Sequence, residues 1–373
     1  TGLGLHDGIL TLEPKGEFLF MTFRRVLFFT LLLSLFLRDK ASSVTTSIWE
    51  QRFHKDFEAG TANDVSLTSQ GKVLLAPEVD VRTHIQSEHY VWCLAEDSEG
   101  NVYAGTGNQG KIFRITQEGQ TSLIFDSPEI SILSLAVDGK ENLYAGTGPD
   151  GLIYKITSEH TPPTTVLRAE EKYVWALTFD DSGNLYAATG TSGRIYKISD
   201  RGEPTVLFDS EDTNIMSLLY HRNILYAGSG DKGIIYRIAN DGKTSVVYQT
   251  PEREIRALVS GTNDNIYAAA ITSAPSQSGG HDRPTVPPPP GSRMPVEKKS
   301  YIYQIRRDGV VSKIWTAPVP LILAMVFDND KQLIVGTGDE GRIYKVNVNG
   351  ESMFLGKPEA NQILAMHRTH TTN

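Results

Sequence analysis

Four glycine triplets with GxGxxG spacing are the first feature that could carry chemistry. They are Gly105/Gly107/Gly110, Gly146/Gly148/Gly151, Gly228/Gly230/Gly233 and Gly336/Gly338/Gly341. One such triplet suggests a dinucleotide loop, which requires a helix next so that its N-terminus faces a pyrophosphate. Each copy here runs instead into a strand-like segment such as Lys111 to Ile115. The triplets therefore mark a recurring loop geometry. A second set, Asp97, Asp138, Asp180 and Asp328, stands just before short turns. A calcium loop spreads its oxygen ligands over about twelve residues. These turns are shorter, and side-chain hydrogen bonds to the turn backbone account for them. A third set of acids, Glu88, Glu129, Glu171, Asp212 and Glu252, stands three residues ahead of a recurring apolar motif. The expectation is a repeated loop contact. The alternative is a rim of carboxylates that attracts cations, with Glu129 and Glu171 as weak metal candidates. The nine histidines show no repeated ligand spacing, and one cysteine excludes an internal disulfide or a multi-thiolate zinc site. No catalytic residue and no cofactor follow from these residues.

The elements that position them come from one repeat. Tyr-Ala-Gly/Ala recurs at Tyr103, Tyr144, Tyr186, Tyr226 and Tyr267, with spacings of 41, 42, 40 and 41. In phase with it, an apolar motif starts at Val91, Ile132, Val174, Ile215, Ile255, Ile322 and Ile363. Each unit reads as four short strands separated by Gly/Asn/Asp turns, and no unit has room for a capped helix. The strands are apolar on both faces, which fits sheets stacked face to face around an axis. A period of about 41 residues with four strands per unit predicts an all-β fold, a β-propeller. The seven starts predict seven four-stranded blades, with an incomplete last blade as the alternative. Strand-like pieces at Val65–Leu67, Lys72–Ala76 and Val81–Ile85 are expected to complete the last blade and close the ring.

What repeats encodes the fold, so what breaks the repeat is where function is sought. The second motif position is Trp92, Leu133, Trp175, Met216, Arg256, Leu323 and Leu364. Tyr90 and Tyr173 precede the two Trp strands. Trp, Tyr and Arg dominate contact hot spots and could stack on a planar or sugar-like ligand. Trp92, Trp175, Arg256, Tyr90 and Tyr173 are therefore the candidate ligand-binding residues, against the alternative of large side chains wedged between blades. Cys93 holds a position that is otherwise Ala or Ser, and reads as a small packing residue. The second break is a Pro-rich insertion, 272–299, where the other units carry the glycine loop. It reads as an extended surface loop, with a lid or docking arm as the alternative.

The repeat (I/V)-x-A-L-x-x-D-x-x-G-N-L-Y-A-G-T-G-x-x-G-x-I-Y-K-I resembles an uncharacterised bacterial family of secreted propellers. It is similar to the NHL-type, SMP-30-like and two-component-regulator (sensor) propellers. The resemblance covers about residues 49–368. The Trp-Asp dipeptide of WD40 repeats is absent. SMP-30-like relatives imply an alternative function, a divalent-metal-dependent lactonase or lyase, with Glu, Asn and Asp around the axial channel. Here the inner motif positions are apolar or small, apart from Arg256, which favours a non-enzymatic binding or protein-interaction module.

Residues 1–20 read as a non-native upstream segment. Residues 21–43 read as a signal peptide: Met21, basic Arg24 and Arg25, an apolar run from Val26 to Leu37, then small Ala41, Ser42 and Ser43. Residues 44–64 form a lead-in, 65–368 the propeller and 369–373 a tail. The expected protein is extracytoplasmic, monomeric and not stably inserted in a membrane once the signal is cleaved. A net charge of −8 gives no basic excess for nucleic acid. The expected partner is a protein or a small, sugar-like ligand at the axial rim.

Overall fold

In the computed structural model the described residues are 65–369, apart from 78, 86–87, 159, 200–202 and 273–298. The proposed upstream segment, signal peptide and lead-in, most of the insertion, and residues 370–373 lie outside them. Twenty-six strands, β1–β26, form six sheets among the described residues. Blade one is β3–β6 (91–126), blade two β7–β10 (131–168) and blade three β11–β14 (173–209). Blade four is β15–β18 (215–249), blade five β19–β22 (254–316) and blade six β23–β26 (322–356). Each blade is an antiparallel meander that begins on its innermost strand: β3 (Val91–Glu96), β7 (Ser131–Val137), β11 (Tyr173–Phe179), β15 (Ile215–His221), β19 (Glu254–Ser260) and β23 (Ile322–Phe327).

The seam, not the single sheet, is the unit of packing. Five hydrophobic layers among the described residues each join one blade to the next, from one–two through five–six. Between blades three and four, for example, Tyr186, Ala188 and Ile195 meet Ile215, Leu225 and Ile238. Both faces of a middle sheet are therefore covered, which explains strands that are apolar on both sides.

The blade count is six, not seven. Ile363 does dock on blade six as an inner strand would, with its N–H donating to the Thr337 carbonyl at 3.0 Å. Its side chain lies against Gly336, as Ile132 lies against Gly105. No ladder forms on it, however, and the segment around Ile363 is not a strand. The reason lies in where the N-terminal pieces pair. Strand β1 (Val65–Thr68) adds antiparallel to β26 (Ser352–Gly356), matching Leu67 with Phe354, and β2 (Val73–Leu75) folds back on β1. Blade six thereby gains two outer strands, and among the described residues no strand pairs with the segment around Ile363. The next residues cross to blade one, where Arg82 donates to the Gln117 carbonyl at 3.3 Å and the Thr83 and Thr121 hydroxyls are 2.9 Å apart. On the inner side, His367 Nε2 meets Glu96 of β3 at 3.1 Å.

The turn acids do what short turns ask of them. Asp97 Oδ1 accepts the N–H groups of Glu99 and Asn101, at 3.1 and 2.8 Å. Its Oδ2 accepts from the Asn101 amide and the Tyr103 hydroxyl. Asp138 and Asp180 repeat the pattern. Burial pushes the Asp138 carboxyl up. Hydrogen bonds from Asn142 and Lys140, with the Lys155 ammonium, outweigh it and hold the group below the usual carboxylate range.

Candidate functional site

Every inner strand carries a β-bulge at the same place. The pairing register slips between Val91 and Cys93, Ile132 and Ser134, and Val174 and Ala176. It slips likewise between Ile215 and Ser217, Ile255 and Ala257, and Ile322 and Ala324. The unpaired residues are Trp92, Leu133, Trp175, Met216, Arg256 and Leu323, the variable motif position. A bulge re-aims a side chain without ending the strand. The residue ahead of it is buried in blades two to six, as Val174 is. The bulged residue itself is half-buried in all six blades. Trp92 and Trp175 are thus partly exposed and not wedged out of sight between blades.

On blades two to four these residues form one connected ridge. Leu133 and Tyr173 both lie against Gly148. The Tyr173 ring packs on Trp175 with centroids 5.0 Å apart and planes 30° apart. The Trp175 indole N–H donates to Asn214 Oδ1 at 3.0 Å, and Asn214 and Met216 flank Gly230. Gly190 is the floor under Trp175. A Cβ there would meet the indole nitrogen and the Asn214 amide, so only glycine admits this close approach. On blade one, Tyr90 stacks on Trp92 at 5.9 Å and 20°, and Tyr90 is 42% exposed. Arg256 stands apart on blade five, where Ile271 pairs opposite Glu254. Leu133, Asn214 and Met216 were not legible as site residues, because Leu and Met look like core and Asn like a loop. The signal available was positional: Asn214 occupies the place of Tyr90 and Tyr173, one residue ahead of the apolar motif.

The acids ahead of the inner strands are fold contacts. The side chain of Glu171 is 1% exposed; it accepts from the Tyr196 hydroxyl at 2.9 Å and pairs with Arg194 at 3.2 Å. Asp212 accepts from Tyr236 at 2.7 Å, and Glu252 from Tyr303 at 2.9 Å. Glu129 accepts the Asp150 N–H at 2.9 Å. The partner tyrosine sits on the third strand of the same blade. Where that residue is Phe113, Glu88 faces Lys111 at 3.7 Å instead. Where the acid is Val319, Tyr344 faces Arg342. Among the described residues no three His, Cys, Asp or Glu side chains converge as metal ligands.

Cys93 completes an inter-blade contact. Its Sγ donates to the Ile132 carbonyl at 3.5 Å, as Ser134 Oγ does to Val174 at 2.9 Å and Ser217 Oγ to Ile255 at 2.8 Å. Burial pushes the Cys93 thiol far up, and the Gly105 backbone only partly offsets it. The thiolate is the reactive form. Iodoacetamide at neutral pH is therefore expected to leave Cys93 unmodified in the folded chain and to label it on denaturation. Rapid labelling of folded protein, read by mass spectrometry, would refute the packing role.

Residues 85–108 match the repeat family described as two component regulator propeller. No curated protein sequence matches the chain. Among solved structures, it is similar to the WD40 β-propeller domain of Doa1, at 13% identity and a TM-score of 0.55, covering 74% of this chain and 85% of that one. It is also similar to a catalytically inactive virginiamycin B lyase from Staphylococcus aureus with quinupristin. There the identity is 13%, the TM-score 0.50, and the coverage 78% of this chain and 86% of that one. Likeness at this identity concerns the fold. Among the described residues the chain is a β-propeller of six blades, each built on four strands and the sixth extended by two more, carrying one stretch that matches a regulator-type propeller repeat.

Proposed function

We propose that this propeller is a non-enzymatic binding module that works outside the cytoplasm and grips a polypeptide segment or sugar-like ligand across its aromatic rim. The fold itself suggests a protein-interaction module. The observation that carries the finer reading is the half-buried ridge in which the bulged Leu133, Trp175 and Met216 are joined by Tyr173 and Asn214, one residue ahead of the apolar motif. The extracytoplasmic part rests on the signal-like segment at 21–43. The metal-enzyme reading finds its candidate acids, Glu129 and Glu171, already committed to Asp150, Tyr196 and Arg194.

Glycan and peptide arrays probed with the full chain test the proposal, followed by titration of the best hit. Trp175→Ala is expected to weaken binding by roughly tenfold or more, the scale of an aromatic hot spot, with an unchanged circular dichroism spectrum. Equal affinity in Trp175→Ala and Trp92→Ala would remove the rim from consideration. A thermal shift with calcium, manganese or zinc alone, lost in Glu171→Gln, would favour the enzyme.

A further inference from the structure

The opposite face of the ring carries a second break in the repeat. In most blades the inner strand ends on a turn aspartate, which lies near the basic residue of the third strand. Lys345 meets Asp328 at 2.8 Å, and the Lys155 ammonium helps hold the Asp138 charge. In blade four that place belongs to His221. The chain then turns to β16 (Ile224–Ser229) through Arg222 and Asn223, at φ 50° and 64°. Such a two-residue turn favours Asn-Gly, so an arginine there is a costly choice. On β17 (Ile234–Ala239), Arg237 takes the place of Lys197 and Lys155 but has lost the aspartate. It has no ion-pair partner among the described residues. In blade five, Gly261 replaces the aspartate, and the turn between β21 (Ser300–Ile305) and β22 (Val311–Thr316) brings in Arg306 and Arg307.

These changes converge on one groove of about 410 Å³ between blades four and five. Arg222, Arg237, Arg306 and Arg307 line it against a single carboxylate, Asp264. Asp264 is shared by Arg222 at 2.6 Å, His221 at 3.6 Å and Arg307 at 3.7 Å, while Arg306 pairs with Asp308 at 2.6 Å. The walls are apolar, from Ile224, Val247, Ile266 and Ile305. The corresponding groove between blades two and three, about 420 Å³, sets Asp138 and Asp181 against Lys140 and Lys155 and is balanced. A positive excess in one groove of a chain with net charge −8 is a local arrangement. Guanidinium forks match tetrahedral oxyanions, and an apolar wall suits a small organic body.

We infer that this groove binds a small organic phosphate or sulfate monoester, with Arg237 as its principal contact. The site lies at the far end of the inner strands from the aromatic rim and does not depend on it. Isothermal titration of the full chain with phenyl phosphate, phenyl sulfate and neutral phenyl β-glucoside tests it. Saturable binding of one or both esters, absent for the glucoside and weaker at high salt, is expected. Arg237→Gln should lower that affinity at least tenfold at unchanged melting temperature, Arg237→Lys should recover part of it, and Trp175→Ala should leave it intact. Phosphate and sulfate are told apart by their relative affinities. No saturable binding, equal binding of the glucoside, or full affinity in Arg237→Gln overturns the proposal. So does preference for a long sulfated polysaccharide that Arg237→Gln leaves unchanged, since that would be surface charge alone.

Discussion

Gly151→Ala should destabilise this propeller by roughly 3–5 kcal/mol, from left-handed backbone strain plus a forced clash. Gly151 has φ +62°, in the region that side chains rarely enter. Its new Cβ would land on the carbonyl oxygen of Glu171, in the loop leading to blade three. That neighbour is backbone, and the same loop is tied down, because Ala169 N–H donates to the Gly151 carbonyl at 3.0 Å. No flexible side chain can yield. Relief would require the blade two loop and the blade three lead-in to part, which opens the seam that Leu167, Val174 and Tyr196 fill. The melting temperature should fall by about 10 °C at the slope usual for larger domains. Gly139→Ala is the control: a Cβ there meets nothing within 4 Å and no positive φ is involved. That change is expected to be neutral or slightly stabilising, through the unfolded chain. Equal melting temperatures for the two variants would show that the inter-blade loop contact does not matter.

Glu171→Ala is the second large effect, at roughly 1–3 kcal/mol, because it leaves the buried Tyr196 hydroxyl without its acceptor. The upper end applies to fully buried partners. Arg194 is 25% exposed and already pairs with Glu170 and Asp209, so it keeps two partners when Glu171 is removed. Tyr196→Phe should cost only about 1 kcal/mol, the net worth of one hydrogen bond. Blade one already lives with Phe113 at that place and leaves Glu88 to Lys111. A Glu171→Ala variant no less stable than Tyr196→Phe would contradict the pairing.

The same pairs set the alkaline limit. Burial, and then the neighbouring acid, pushes the hydroxyls of Tyr196, Tyr236 and Tyr303 up. The folded chain therefore holds protons that the unfolded chain releases above about pH 10. The stabilisation is intact below that value and lost as pH rises towards the folded values. Circular dichroism and tyrosinate absorbance should change together in alkaline titration. Tyrosinate formation in these residues with the fold unchanged would count against their burial beside carboxylates.

Much of this was legible in the chain because the information is local. Four strands, three turns and the aspartate that closes one of them all fall within about 41 residues, so the repeat, the blade and the role of Asp97 or Asp138 are written in each unit. The acids were legible as a pattern and not as a contact, because Glu171 and Tyr196 lie on different strands and only pairing brings them together. The same holds for the rim. Trp92, Trp175, Tyr90 and Tyr173 stood out by type, but a bulge is a property of two strands in register, so their exposure was not readable. Asn214 and the groove at Arg237 required neighbours from two blades.

The sequence by itself determined that this protein is a propeller, how each blade is built, and which positions depart from the repeat. Tertiary structure alone decided the number of blades. Val65–Thr68 could pair with a seventh blade begun at Ile363 or extend the sixth, and either choice satisfies the local pattern. It is settled by the edge of β26, which pairs Phe354 and Met353 with Leu67 and Thr68 of β1, where the segment around Ile363 is not a strand, since backbone hydrogen bonds go to the partner that satisfies the most of them.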